Sequence, residues 1–161
     1  MKLVYITGAP RCGKTTLAKK IATELNCSIF SLDAFSKSIR NTFCDFKLYG
    51  DDISIRPVIN NDIFLKLVAD YTNNYSIDYD NHTLIVEGCH FTPEEFKSKF
   101  DNAEIIALGR TGATDEIIDA IKQKDWMHNL PDEIILQYAK LIKEYSIKLK
   151  SEAQFYEYIE V

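Results

Sequence analysis

The chain has 161 residues, of which 46% are hydrophobic and 27% are charged, and its formal net charge at pH 7 is −5. This length and composition are typical of one globular domain with a hydrophobic core, and they exclude a largely disordered chain. The acidic balance disfavours an extended nucleic-acid surface, because affinity for a phosphate backbone comes mainly from clustered lysines and arginines.

A phosphate-binding motif follows the first predicted strand, which covers residues 2–7. The motif reads Gly8-Ala9-Pro10-Arg11-Cys12-Gly13-Lys14-Thr15 and fits the pattern G-x-x-x-x-G-K-[ST] at every fixed position. Glycines at both ends let the backbone wrap around an anion. A helix predicted over residues 14–25 would add unpaired N–H groups at its positive end. The motif predicts binding of a nucleoside triphosphate; the alternative is a glycine-rich turn with an exposed lysine.

The residue types in this motif suit separate parts of a nucleotide. Lys14 would reach the β- and γ-phosphates, and the Thr15 hydroxyl would coordinate Mg²⁺. We therefore predict Lys14 as a catalytic residue and Thr15 as a metal ligand. The predicted nucleotide contacts are Gly8, Ala9, Pro10, Arg11, Cys12, Gly13, Lys14, Thr15 and Thr16.

A carboxylate and an arginine follow the second predicted strand, which covers residues 28–32. Asp33 comes at its carboxyl end and could accept a proton from a substrate hydroxyl or orient it. The alternative is that Asp33 caps the next helix, predicted over residues 34–43. Arg40 in that helix suits a substrate anion, because a guanidinium binds phosphate or carboxylate bidentately; the alternative is a surface salt bridge.

The periodicity lapses between residues 44 and 61, which predicts an irregular excursion that could receive a substrate. Arg56 lies in it and is a second candidate for substrate binding, with surface charge as the alternative. A helix is predicted over residues 62–74.

A third strand, predicted over residues 83–86, is too apolar to lie at a sheet edge and ends at Glu87. Glu87 could hold Mg²⁺ through a water or position a substrate; the alternative is a buried turn carboxylate. Cys89 and His90 follow, and because they lack the spacing of metal ligands we interpret them as an ordinary loop thiol and imidazole.

The remaining elements are again helices and strands in alternation. Thr92 and Glu95 predict a capping box for a short helix that ends near Phe100. A strand over residues 104–108 leads to Arg110, whose fixed charge suits the transferred phosphoryl group; the alternative is a surface ion pair. We predict Arg110 as a catalytic residue.

The C-terminal third contains a possible lid, two helices and a strand. Residues 110–131 include a helix predicted over residues 113–123 and a polar break, and a lid here could close over the phosphates. The longest helix begins at Pro131. Its predicted buried stripe is Ile134, Tyr138, Leu141, Tyr145 and Leu149. A strand is predicted over residues 155–159.

This alternation predicts a single α/β domain over residues 1–161, with a mainly parallel five-stranded sheet and helices on both faces. Together with the phosphate loop, this arrangement resembles the P-loop NTPase fold. Ligands of such sheets bind beyond the carboxyl ends of the strands. Asp33, Glu87 and Arg110 all follow such ends, so we expect them to lie near the phosphate loop.

The chain resembles the small P-loop kinases of the nucleoside and nucleotide kinase-like group over essentially its whole length. The resemblance rests on the phosphate loop, on Asp33 followed by Arg40, on the strand that ends in Glu87, and on Arg110 at the start of a lid-like segment. It implies ATP with Mg²⁺, an aspartate near the acceptor and an arginine near the base or phosphates. The segment Glu87-Gly88-Cys89-His90 is also similar to the E-G-x-H segment of 2-phosphoglycerate kinases.

Together these features predict an ATP-dependent phosphotransferase for a small molecule such as a nucleoside, a nucleotide or another hydroxylated or phosphorylated metabolite. The alternatives are a nucleotide-binding sensor that transfers no phosphate and a kinase for nucleic-acid ends, which the acidic balance disfavours. GTPases are disfavoured because the segments D-x-x-G and N-K-x-D are missing from the expected places. We expect a cytoplasmic protein without membrane or nucleic-acid partners, since no leader or long apolar segment is visible.

Overall fold

The computed structural model describes residues 1–43, 61–123 and 129–161. Five strands and six helices alternate along these residues. The strands are β1 (Lys2–Gly8), β2 (Ser28–Ser31), β3 (Thr83–Glu87), β4 (Glu104–Gly109) and β5 (Glu157–Glu160). The helices are α1 (Lys14–Leu25), α2 (Leu32–Thr42), α3 (Asn61–Asp78), α4 (Pro93–Lys99), α5 (Thr114–Lys122) and α6 (Asp132–Ser151).

The sheet has the strand order β2-β3-β1-β4-β5, and all four neighbouring pairs are parallel. The predicted α/β fold is confirmed, as is the interior position of β3. Because the order reverses on either side of β1, a crevice opens beyond the carboxyl end of that strand, and ligands of doubly wound sheets bind in such crevices. Within the described ranges, no helix is long and apolar enough to cross a membrane.

Hydrogen bonds from the core fix the segment that follows β3. Tyr5 of β1 is fully buried, and its ring stacks on Phe96 of α4 with a centroid distance of 4.0 Å. Its hydroxyl donates to the carbonyl oxygen of Phe91 at 2.9 Å and also contacts the carbonyl of Gly88 at 3.2 Å. α4 begins with the predicted capping box of Thr92 and Glu95. The backbone of residues 88–92 is therefore held against the sheet beside the phosphate loop.

The predicted buried stripe of α6 is wrong by one position over its first half. The residues that point into the core are Ile135, Ala139, Ile142, Tyr145, Ser146 and Leu149. Only Tyr145 and Leu149 belong to the predicted stripe. The shift follows from close packing, because a Cβ on Gly109 of β4 would come 2.8 Å from the Cβ of Ser146. Small side chains therefore face the sheet where the helix approaches it most closely.

Other boundaries differ from the predictions by a few residues. α3 continues to Asp78 instead of ending at residue 74, because its polar last turns are anchored by tyrosines: the Tyr75 hydroxyl donates to Ser28 Oγ at 2.9 Å, and the Tyr75 and Tyr79 rings stack. β5 starts two residues later than predicted, at Glu157.

Gly8 should be the least replaceable glycine of the loop region. Its φ is +130°, and a Cβ there would lie 2.0 Å from the carbonyl oxygen of Leu108. We expect Gly8→Ala to lower the free energy of unfolding by at least about 3 kcal/mol, because both the conformation and the contact are unfavourable. Gly13→Ala is the matched control: its φ is +80°, but no heavy atom of the described residues lies within 4 Å of an added Cβ, so about 1–2 kcal/mol is expected. Urea titrations test this, and equal losses in the two variants would contradict it.

Candidate active site

The phosphate loop joins β1 to α1 through unusual backbone conformations. Arg11 has φ +66° and Gly13 has φ +80°, and Gly13 also forms the N-cap of α1. Left-handed geometry costs a residue such as arginine about 1–2 kcal/mol. Ala9 and Cys12 are fully buried and anchor the underside of the loop. Such conformations turn successive N–H groups to one side, which creates a concave site for an anion.

The Lys14 side chain crosses this loop. Lys14 is the first residue of α1, it is only 8% exposed, and its Nζ donates to the carbonyl oxygen of Ala9 at 2.8 Å. The ammonium group thus bridges the beginning of the helix and the beginning of the loop. A bound polyphosphate would meet both this charge and the positive end of α1.

Glu87 connects the loop to the end of β2. Its carboxylate is 2% exposed and accepts two hydroxyl hydrogen bonds, from Thr15 Oγ1 to Oε2 at 3.1 Å and from Ser31 Oγ to Oε1 at 2.7 Å. Oxygen donors of this kind suit Mg²⁺. Ser31 was not predicted as a site residue, although Ser31 and Glu87 are register partners at the carboxyl ends of β2 and β3. Two polar residues at the ends of neighbouring strands were the signal from which this contact could have been predicted.

Ser31, and not Asp33, caps α2. The Ser31 hydroxyl accepts a hydrogen bond from the Ala34 N–H at 3.5 Å, so the alternative that Asp33 is the cap is wrong. The reason is that β2 ends one residue earlier than predicted and α2 begins at Leu32. Asp33 lies in the first turn, with its side chain 64% exposed and its Oδ1 3.7 Å from Nδ1 of His90. The carboxylate is therefore accessible and faces the segment after β3.

His90 is a buried residue and not an ordinary loop imidazole. It is 2% exposed, its Nε2 lies 3.2 Å from Ser36 Oγ, and its ring packs against Phe64 at 5.1 Å. The pKa of His90 is lowered to about 4, mainly by burial and also by the positive charge of Lys14, while the charge of Glu87 opposes the shift. The imidazole is therefore neutral at neutral pH.

The charged side chains of Lys14, Asp33 and Glu87 all act on Cys89. Burial raises the pKa of this thiol; the charge of Lys14 opposes the rise, and those of Asp33 and Glu87 add to it. Donor atoms of Asp33, Cys89 and His90 all lie within 4.8 Å of one another. The phosphate loop, Glu87, Asp33 and the segment after β3 thus form one site.

Arg110 reaches the same site from β4. Its Nε donates to the carbonyl oxygen of Arg11 at 3.2 Å, and its backbone N–H donates to Ser146 Oγ at 2.9 Å. Its charge also acts on Cys12: the pKa of that thiol is raised to about 11, mainly by burial, and the charges of Lys14 and Arg110 oppose the rise. The guanidinium therefore lies against the phosphate loop.

Comparisons with known proteins agree with the fold and with the phosphate loop. The sequence profile of the ATPase family associated with various cellular activities (AAA) matches residues 4–47, which contain the phosphate loop. No curated protein sequence matches the chain. Among solved structures, a sugar kinase from Janibacter sp. HTCC2649 has a TM-score of 0.62 at 16% identity, with 100% of this chain and 84% of that chain covered.

Two further structures are similar over nearly the whole chain. A gluconokinase from Sinorhizobium meliloti 1021 has a TM-score of 0.59 at 12% identity, covering 99% of this chain and 82% of that one. A shikimate kinase from Bacteroides thetaiotaomicron has a TM-score of 0.58 at 17% identity, covering 98% and 84%. This chain has the P-loop kinase fold.

The P-loop kinase fold does not gather every predicted residue at the phosphate loop. Arg40 is exposed in the last turn of α2, and seven residues from Asp33 correspond to about 10 Å along the helix axis. Arg56 lies outside the described residues. Lys122, at the end of α5, pairs with Asp132 of α6 at 3.0 Å. Residues 124–128 of the predicted lid also lie outside the described residues, so a moving lid over residues 110–131 stays a prediction.

Burial of His90 predicts a loss of stability in weak acid. Its pKa is about 4 in the folded protein and about 6.5 in an unfolded chain, so between these values the unfolded state binds more protons. The free energy of unfolding should therefore fall by about 3 kcal/mol as the pH drops from about 7 to about 4, and this contribution should level off below that.

Urea titrations across this pH range, with EDTA present, measure the effect. His90→Asn should lose this part of the pH dependence, because the variant has no imidazole to protonate. His82→Asn, at an exposed histidine, is the matched control and should retain it. An unchanged slope in His90→Asn would contradict the interpretation.

Proposed function

We propose that the protein is an ATP-dependent phosphotransferase that moves the γ-phosphoryl group to a small-molecule acceptor. The observation that carries this proposal is the position of Glu87, which accepts hydrogen bonds from Thr15 in the phosphate loop and from Ser31 at the start of the helix that bears Asp33. A nucleotide site and an accessible carboxylate therefore share one edge of the sheet. A protein that only binds ATP has no need of the second.

In this proposal the nucleotide lies in the phosphate loop, residues 8–16. Backbone N–H groups and the start of α1 hold the phosphates, and Lys14 contacts the β- and γ-phosphates. Arg110, already against the loop at Arg11, stabilises the negative charge on the transferred group. Both cations act at fixed positions, so little reorganisation accompanies the reaction.

Glu87 and Thr15 would hold Mg²⁺, either directly or through water. The donors are all oxygens, and the carboxylate is buried where its charge is poorly screened, so the residues fit this ion. When bound, Mg²⁺ neutralises charge on the β- and γ-phosphates. The Ser31 hydroxyl holds the carboxylate in place from the opposite side.

Asp33 would orient the acceptor hydroxyl and receive its proton during in-line attack. Its exposure leaves the carboxylate available to a substrate, while the neighbouring His90 is held by the core. Arg40 and Arg56 are proposed to bind anionic groups on the acceptor. The named activities of the similar structures, a gluconokinase, a shikimate kinase and a sugar kinase, favour a small polyhydroxylated acceptor.

The test is acceptor-dependent release of ADP from ATP and Mg²⁺. The panel comprises sugars, gluconate and other sugar acids, shikimate, nucleosides, nucleotides and hydroxylated antibiotics. With the best acceptor, Asp33→Asn should lower kcat about 10²-fold, because a positioned base contributes at least that much. Asp70→Asn, at an exposed position in α3, is the control. ATP binding without acceptor-dependent turnover would favour the sensor instead, and equal turnover by wild type and Asp33→Asn would remove Asp33 from the catalytic set.

A further inference from the structure

We propose that Asp33, Cys89 and His90 form a binding site for Zn²⁺, separate from the Mg²⁺ site at Glu87 and Thr15. A carboxylate oxygen, a thiol sulfur and an imidazole nitrogen lie within 4.8 Å of one another. The residues come from the first turn of α2 and from the segment after β3. The fold thus supplies Asp33 to a Cys-His pair that has no ligand spacing of its own in the sequence.

The distance between Asp33 and His90 is close to that between two ligands of a bound tetrahedral ion. With Zn–N and Zn–O near 2.0–2.1 Å and Zn–S near 2.3 Å, neighbouring donors lie about 3.3–3.6 Å apart. Asp33 Oδ1 and His90 Nδ1 are 3.7 Å apart, and the Asp33 side chain is 64% exposed. Donor pairs as far as 4.8 Å apart would have to close by about 1 Å around the ion. The exposed Asp33 carboxylate has room to make its part of that adjustment, and solvent gives access to it.

The second nitrogen of His90 has the partner that a ligating histidine requires. Metal-bound histidines nearly always use the other ring nitrogen in a hydrogen bond that fixes the orientation of the ring. Nε2 of His90 lies 3.2 Å from the Ser36 hydroxyl, which itself donates to the carbonyl oxygen of Asp33 at 3.1 Å. Ser36 is fully buried. This arrangement directs Nδ1 towards Asp33.

Gly88 leaves space next to Nδ1 of the buried imidazole. Its φ is +154°, and a Cβ there would come 3.0 Å from His90 Nδ1 and 2.8 Å from the Cβ of Leu32. The absence of a side chain lets the segment after β3 approach the start of α2. Cys89 and His90 are thereby brought to the same side as Asp33.

The donor chemistry separates the two cation sites. Thiolate and imidazole select Zn²⁺, whereas Mg²⁺ prefers oxygen ligands and retains several waters. Cys89 is one of three free cysteines among the described residues, and on binding its thiol would release a proton to solvent. Three protein ligands leave a fourth position for water or a substrate atom.

A functional consequence rests on the proposed function. A Zn²⁺ ion on Asp33 withdraws the carboxylate that the acceptor hydroxyl needs. Zn²⁺ should therefore inhibit phosphotransfer competitively with the acceptor, while the affinity for ATP at the phosphate loop stays unchanged.

The binding test uses the full chain without nucleotide, in buffer with excess Mg²⁺. Co²⁺ is the spectroscopic probe, because a thiolate ligand produces a charge-transfer band in the near ultraviolet. We expect one equivalent of Co²⁺ to generate this band and Zn²⁺ to abolish it. Isothermal titration with Zn²⁺ should give the same stoichiometry.

Variants decide whether the three residues are the ligands. Cys89→Ser should remove the band and weaken Zn²⁺ binding by at least about 100-fold, and Ser36→Ala should weaken it about 10-fold through the orientation of His90. Cys27→Ser is the matched control and should behave as wild type. His90→Asn and Asp33→Asn provide a second pair, so a poorly folded Cys89→Ser variant would not block the test.

A band that survives Cys89→Ser, or that is lost in Cys27→Ser, would overturn the proposal. The binding arm involves no substrate, so its outcome is separate from that of the phosphotransfer assay. Zn²⁺ binding without any acceptor turnover would refute the kinase proposal alone. Turnover without a thiolate band would refute the Zn²⁺ site alone.

Discussion

A Lys14→Ala variant should bind ATP weakly and lose phosphotransfer by about 10³-fold, the scale of losing one preorganised charged donor at a transferred group. The ammonium is nearly buried and lies 2.8 Å from the carbonyl oxygen of Ala9. Its charge is therefore fixed at the phosphate loop before a nucleotide binds. A cation from solvent would first have to be ordered at that position, so it cannot fully replace the lysine.

Calorimetry with ATP and Mg²⁺ measures the binding, and acceptor-dependent ADP release measures the rate. Lys20→Ala removes an exposed lysine from the same helix and serves as the matched control. The Lys14 variant loses one hydrogen bond to Ala9, which costs about 1 kcal/mol of stability, so it should remain folded. Equal heats of ATP binding in the variant and its parent would refute the assignment of a nucleotide site to this loop.

The phosphate loop and the place of Glu87 next to it were predictable because they depend on local patterns. A glycine-bounded loop between a strand and a helix leaves few structural alternatives, and the strand-helix alternation orients all the strands in parallel. Glu87 therefore meets Thr15 across the sheet although 72 residues separate them. The sheet register is the physical reason that sequence position at a strand end was informative.

The surroundings of Asp33 and His90 could not be predicted in the same way. Ser31 is the N-cap of α2 because this helix begins earlier than the sequence pattern indicates. His90 is buried by Phe64 of α3, and its segment is held by the Tyr5 hydroxyl of β1. Such contacts between distant elements leave no periodicity in the sequence. No sequence pattern therefore indicated that His90, next to Cys89, is a buried residue.

The buried face of α6 was mispredicted for a related reason. Ile134 and Ile135, like Leu141 and Ile142, are adjacent apolar pairs, so two overlapping stripes fit the helical period equally well. The choice between them depends on where the helix backbone comes closest to the sheet. The close approach depends on Gly109 in β4 and Ser146 in α6. The hydrophobic pattern of the helix alone contains no information about a contact with another element.

Glu87→Gln should separate nucleotide binding from the use of Mg²⁺. The side chain keeps its shape, but it loses the negative charge, and its amide nitrogen cannot accept the hydrogen bond that Thr15 or Ser31 now donates. We expect phosphotransfer to fall about 10³-fold, since charge neutralisation by the metal contributes several kcal/mol. ATP affinity in EDTA should stay near that of wild type, whereas its increase on adding Mg²⁺ should largely disappear.

Calorimetric titrations of ATP with Mg²⁺ and with EDTA measure this difference, alongside the rate of ADP release. Glu144→Gln, at an exposed position in α6, is the matched control. Ser31→Ala keeps the carboxylate but removes one of the two hydroxyls that hold it, so an intermediate loss of about 10-fold is expected, as for other groups that orient metal ligands. If Glu87→Gln retains the full effect of Mg²⁺, the cation is held elsewhere and the carboxylate only ties Thr15 to Ser31.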